Sequence, residues 1–199
     1  MSTTLALVPA PASAAAEPPA GSVTVQLVTT NGSGCPPGSV TVDSTAERFR
    51  LRYSYYLASA GGNSSPSDLR TSCQVSVRVS HPPEFTYGIA RVENKGFASL
   101  EEGASGTLRS SYSILGRNPL PGRPRVIHGL YVDDWQFVDQ SDIPEVNVRP
   151  CGERGNTTLA TELSVDLGTS NASKTSFMFL DSSDSGLGST YQFYWLRHC

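Results

Sequence analysis

Asp133, Asp134, Asp139 and Asp142 crowd one short region, and Asp181-Ser182-Ser183-Asp184-Ser185-Gly186 places two more carboxylates in a turn of small residues. Acidic turns can offer oxygen ligands to calcium. This one lacks the alternating ligand positions and closing bidentate Glu of an EF-hand loop, so a solvated turn is the reading and no metal is expected. His81, His128 and His198 are scattered singly, and neither G-x-S-x-G nor H-E-x-x-H occurs. Glu101 and Glu102 are adjacent, and adjacent strand residues point to opposite faces. No catalytic residue is assigned and no cofactor is expected. A site assembled only in three dimensions would escape this reading, so an extracellular glycan-active hydrolase stands as the alternative.

Aromatic rings are the other candidates. Tyr56, Tyr131, Trp135 and Tyr194 fall off the clearest core parities, and exposed flat rings on a sheet can hold sugar rings by apolar contact and ring-face electrostatics. Trp135 follows Asp133-Asp134 after Gly129, where a bulge would aim it outward beside carboxylates that accept sugar hydroxyls. Trp135, Tyr131, Asp133 and Asp134 are therefore the candidate ligand-binding residues, for a polysaccharide or cell-envelope surface. The rival reading buries Trp135.

Such residues need elements to hold them. Val23, Val25 and Leu27 alternate with Thr24 and Gln26 as a half-buried strand, and Asn31-Gly32-Ser33-Gly34-Cys35-Pro36-Pro37-Gly38 follows as a turn. The clearest strand puts Phe49, Leu51, Tyr53, Tyr55 and Leu57 inward, with Arg50, Arg52 and Ser54 outward. Ala58 to Ser72 reads as a long surface loop. Beyond it Cys73, Val75, Val77 and Val79 face a core until His81-Pro82-Pro83 ends the ladder.

Phe85, Tyr87 and Ile89 continue the pattern, as do Gly96 to Leu100 and Leu108, Tyr112 and Ile114. Gly116 to Pro124 is a loop, and Val126 to Val138 is extended with a bulge near Gly129. Leu159, Thr161, Leu163, Val165 and Leu167 alternate, Phe177 to Leu180 is a shorter strand, and Tyr191, Phe193 and Trp195 share the core face of the last. About ten short strands with no helical period predict an all-β antiparallel sandwich.

With 199 residues and a net charge of −3, one domain over residues 22–199 is expected, and a monomer. The first Lys or Arg is Arg48, and no basic footprint for phosphate follows, which argues against nucleic acid as a partner. No stretch reaches membrane-spanning length, so no transmembrane segment is expected. Residues 1–21 form an Ala/Pro-rich tail in which Ala12-Ser13-Ala14 fits a signal-peptidase site, so a signal-peptide remnant and a secreted, extracellular protein are expected. Sequons stand at Asn31, Asn63, Asn156 and Asn171.

Cys35, Cys73, Cys151 and Cys199 lie far apart with no C-x-x-C, which fits two disulfides in an oxidising compartment better than zinc or redox motifs. If the first four strands form a meander, the turn after strand one and the start of strand four meet, so Cys35 pairs with Cys73. Cys151 with Cys199 follows by elimination, and requires the loop ahead of Thr157 to fold back.

Several of these residues recur together in one known pattern. Asn31-Gly32-Ser33-Gly34-Cys35-Pro36-x-Gly38-Ser39, Ala58-Ser59-Ala60-Gly61 with Cys73-Gln74, Gly96 to Gly106 with Leu100 and Gly103, Pro150-Cys151-Gly152, and the closing Trp195-x-x-x-Cys199 resemble the secreted family known as domain of unknown function 4360. The resemblance spans about residues 22–199. Phe97 takes the aromatic place of the Gly-Tyr motif, and Trp195 lies further from the last Cys than in the family pattern. It implies secretion, an all-β fold and two disulfides, and supplies no catalytic residue. The reading is thus a secreted non-enzymatic binding or structural module, glycan-directed through exposed rings. The hydrolase, and an inhibitor or toxin acting on another protein through an exposed apolar loop patch, are the alternatives.

Overall fold

The computed structural model describes residues 17–115, 120–141, 148–180, 186–197 and 199. Most of the expected tail, the acidic turn from Asp181 to Ser185, Asp142, His198 and part of the Gly116 to Pro124 loop lie outside them.

Two antiparallel sheets face each other. The first runs in the order β1 (Thr24–Asn31), β5 (Arg70–Ser80), β11 (Thr157–Asp166), β7 (Ser105–Ile114) and β8 (Leu120–Pro121), with β9 (Arg125–His128) also on β7. The second runs β2 (Val40–Ser44), β3 (Arg48–Tyr53), β13 (Gly188–Arg197), β6 (Phe85–Leu100), β12 (Ser176–Phe179) and β4 (Leu57–Ala60). Its β10 (Tyr131–Gln140) pairs with residues 91–100 of β6. Since β13 pairs with residues 85–95 of that strand and β12 with 97–99, these two lie end to end along the opposite edge from β10.

Between the sheets the inward parities of both close into one core. Val75, Val77, Leu108, Leu159 and Leu163 come from the first sheet; Phe49, Leu51, Tyr87, Ile89, Leu100, Met178 and Tyr191 come from the second. Burying this apolar surface is the main drive to fold. Hydroxyls join the layers where polar side chains enter: Tyr56 Oη donates to Thr161 Oγ1 at 3.0 Å, and Tyr87 Oη lies 2.9 Å from Thr157 Oγ1. Burial pushes the Tyr53 phenol up to about 12, so it stays a hydrogen-bond donor, to Ser189 Oγ at 3.2 Å.

Three expectations are corrected. The inward run from Phe49 stops at Tyr53, because Tyr55 takes φ +73° and reverses the parity: Tyr56 turns inward while Tyr55 and Leu57 face water. The loop expected over Ala58 to Ser72 instead holds β4, a 3₁₀ turn at Pro66–Leu69 and the start of β5. Gly129 marks a change of sheet, with β9 in the first and β10 in the second. It is Gly because a Cβ there would meet the Glu101 carbonyl oxygen at 1.9 Å.

Both disulfides are present. Cys35–Cys73 staples the turn after β1 to β5, and Cys151–Cys199 closes on the chain end beyond β13. The second is reached because the segment before it does fold back: Arg149 N donates to Tyr87 O at 2.8 Å on β6, and Cys199 N donates to Glu84 O at 3.3 Å.

Candidate functional site

Trp135 does not face outward as its sequence context suggests. It is 4% exposed. It pairs with Gly96, and residues paired across an antiparallel ladder share a face, so Trp135 sits with the buried Asn94 and Ala98 on the inner side of β6. A Cβ on Gly96 would lie 2.4 Å from the indole and 1.9 Å from Phe179 O, so only glycine admits both. Phe137 packs beside the indole with ring centroids 5.1 Å apart.

The other three residues do not gather round it. Tyr131 is half-buried and donates to Asp134 O at 2.7 Å. Desolvation, then the neighbouring Asp133 and Asp134 carboxylates, raise its phenol, which keeps the proton it donates. Asp133 is exposed and accepts the Asp134 N–H at 2.7 Å. Only Asp134 faces outward beside rings. Of the remaining off-parity tyrosines, Tyr56 is buried and Tyr194 half-buried.

Among the rings that meet solvent, three phenylalanines line up on one face. Asp134 pairs with Phe97, Phe97 with Phe179, and Phe179 with Leu57, which makes one row across β10, β6, β12 and β4 on the outer face of the second sheet. The next row is Val132, Ser99, Phe177 and Ser59. Phe97, Phe177 and Phe179 are half-buried, with centroids 5.6 Å apart for Phe97–Phe179 and 6.2 Å for the other two pairs, and the Phe177 and Phe179 planes differ by 6°. Leu57 is 42% and Val132 65% exposed, and Tyr55, two residues before Leu57, is 81% exposed. The Phe row is therefore framed by apolar groups open to water.

A polar cleft adjoins it. Ser59, at the end of the second row, also lines a cleft of about 660 Å³ with Gly62, Asn63, Ser64, Asp68, Ser173 and Thr175. Asp68 accepts the Ser65 N–H at 2.8 Å, and that bond, with help from nearby serine hydroxyls, holds its carboxyl below the ordinary range. Hydroxyls, an amide and an ionised carboxylate thus stand beside the ring row. Among the described residues no three His, Cys, Asp or Glu side chains gather as a metal site. His81 lies between β5 and β6 beside Arg149, His128 is exposed on β9, and Glu101 is held by Lys174 at 2.9 Å.

The pattern of cysteines, glycines and strands belongs to a known family, whose description, Domain of unknown function (DUF4360), matches residues 21–199. The chain is a member of that family. An uncharacterized secreted protein of Arthroderma benhamiae is 28% identical over 130 residues, which are 64% of this chain and 53% of that protein. The chain thus spans about half the length of this relative. A solved structure of TmCBM61 in complex with beta-1,4-galactotriose aligns over 89% of this DUF4360 chain and 90% of its own, at 13% identity and a TM-score of 0.32. A score that low supports no correspondence of site. No helix among the described residues is long and apolar enough to cross a membrane.

Proposed function

We propose that this protein is a secreted, non-catalytic binding module that holds glycan chains on the outer face of its second sheet. The observation that carries this reading is the half-exposed Phe97, Phe177 and Phe179 row running into the cleft of Ser59, Asn63, Ser64 and Asp68. Sugars present apolar C–H faces and hydroxyl edges, and a site for them needs rings for the first and convergent acceptors and donors for the second. Asp134 in the Phe row supplies a further acceptor. The apolar patch lies on a sheet face beside hydroxyls rather than on a loop, which favours a glycan over the protein target of an inhibitor.

Retention on insoluble chitin, cellulose and peptidoglycan tests it. A ring contact contributes about 1 kcal/mol, so Phe179→Ala should weaken retention roughly fivefold and Phe177→Ala/Phe179→Ala roughly thirtyfold, with the fold intact by circular dichroism. Wild-type protein that washes off all three supports, or a double variant retained like wild type, would exclude this face.

A further inference from the structure

A second cleft, of about 860 Å³, opens where the end of β5, the start of β6 and residues 149–156 meet. We propose that it binds an oxyanion, a carboxylate or phosphate group, through Arg78, Arg149 and Arg154. This site is separate from the Phe row, which lies toward the far end of β6.

The lining is what points to an anion. Three guanidiniums line the cleft against one carboxylate, Glu153, in a chain whose net charge is −3. Arg149 is half-buried, and its contacts are unlike those of an ion pair. Nη1 bonds His81 Nε2 at 3.1 Å, Nη2 donates to the Glu153 backbone carbonyl, and the guanidinium lies 5.9 Å from the Tyr87 ring centroid. His81 Nδ1 lies 2.9 Å from the Pro82 carbonyl, which can only accept, so Nδ1 carries the ring proton and Nε2 takes Arg149's. These partners orient the guanidinium without neutralising it. A cation half out of water with neutral partners is costly unless an anion answers it.

Arg78 and Arg154 supply the outer wall. Arg78 stands on the exposed face of β5, and the chain enters β11 beside it: Thr157 pairs with Val77, which brings Asn156 alongside Arg78. Arg154 is exposed two residues earlier. A planar guanidinium fork suits the paired oxygens of a carboxylate or phosphate, and Asn156 adds an amide donor. Thr86 Oγ1 is taken up by the Arg149 carbonyl, to which it donates, while the exposed Ser80 hydroxyl lines the cleft beside the arginines and Asn156.

Isothermal titration with inorganic phosphate and with acetate, in low-salt buffer, tests the site. Wild-type protein should bind at least one of them, and Arg78→Ala/Arg154→Ala should weaken it at least tenfold with an unchanged melting temperature. Arg78→Lys/Arg154→Lys should restore part of the loss, since the charge returns without the fork. Phosphate bound more tightly than acetate assigns a phosphorylated partner; equal or tighter acetate assigns a carboxylated one. No heat with either anion at tens of millimolar, or an alanine double variant that binds like wild type, overturns the proposal. Phe177→Ala/Phe179→Ala should titrate as wild type does, so failure of the glycan reading leaves this result legible.

Discussion

The outer faces of the two sheets are built from different residues. On the first sheet, Ser72 pairs with Glu162 and Glu162 with Arg109; Gln74, Ala160 and Ser111 form the next row, and Ser76, Thr158 and Ser113 the one after. The inward parity of these strands carries the core, and the outward parity carries mostly hydroxyls, an amide and charge. The second sheet keeps Phe97, Phe177 and Phe179 on its outward parity, framed by Leu57 and Val132. Folding does not require them there, since the core is already filled from the other side. Contiguous apolar groups left open to water mark a surface that something else covers.

The largest expected effect separates the two sheets through their disulfides. Cys35–Cys73 belongs to the first sheet and both its residues are buried; Cys151–Cys199 belongs to the end of the second and both are exposed. Loops of these lengths, 38 and 48 residues apart, correspond to about 4 kcal/mol each in the chain-entropy view. Mild reductant should open Cys151–Cys199 first and lower the melting temperature, while Cys35–Cys73 stays closed until the domain unfolds. Alkylation with mass mapping reads the order; simultaneous labelling of all four thiols would show that the two sheets do not differ in this way.

Next in size is a contrast within one strand pair. Trp135 and Phe97 occupy neighbouring ladder positions, one inward and one outward. Trp135→Ala should cost about 3–5 kcal/mol, whereas Phe97→Ser removes a half-exposed ring and should cost about 1 kcal/mol. Glycan retention should respond in the reverse order, falling for Phe97→Ser and persisting for Trp135→Ala below its lowered melting temperature. Denaturant melts alongside the retention assay decide it. A Phe97→Ser protein as damaged as Trp135→Ala would mean that Phe97 is a core residue and the outer row is packing. On the wet face, Gln74→Ala/Ser111→Ala should leave both readings within error.

The sandwich was legible in the alternation itself, because strands with one dry face print a period of two: Cys73 to Val79, Leu159 to Val165 and Tyr191 to Trp195 are buried where that period puts them. The site was not, for the same reason. Phe177-Met178-Phe179-Leu180 and Phe97-Ala98 are apolar at both parities, and alternation cannot say which side is wet when neither looks polar. That doubling was itself the available signal, since β3 of the same sheet shows Arg48, Arg50 and Arg52 on its outward side. Parity also failed where the backbone changed hand or gained a residue. Tyr55 at φ +73° inverted the reading of Leu57, and in β6 the register passes from Arg91 opposite Gln192 to Ile89 opposite Phe193, leaving Ala90 as an extra residue that moves the buried set from odd to even positions. A bulge at Gly129 would aim Trp135 outward, but Gly129 is a change of sheet and Trp135 faces inward.

The smallest effect compares the same charge motif on each face. Glu93 on the second sheet lies 2.6 Å from Lys95 and 3.0 Å from Arg91, while Glu162 on the first lies 3.5 Å from Arg70 and 3.7 Å from Arg109, two more exposed partners. The Lys95 hydrogen bond, with Arg91's, outweighs partial burial and holds the Glu93 carboxyl below its usual 4.5. A carboxyl with a depressed folded pKa binds protons less readily when folded than when unfolded. Its contribution is therefore complete above the unfolded value near 4.5 and is lost as pH falls through the lower folded one. Glu93→Gln should cost about 0.5–1 kcal/mol at pH 7 in low salt, less in high salt, and nothing once both states are protonated. Glu162→Gln, with longer contacts and wetter partners, should cost less at pH 7. Urea melts of both variants between pH 2 and 7 measure the two curves, and equal costs at neutral pH would show that the tighter geometry on the ring-bearing face confers no stability of its own.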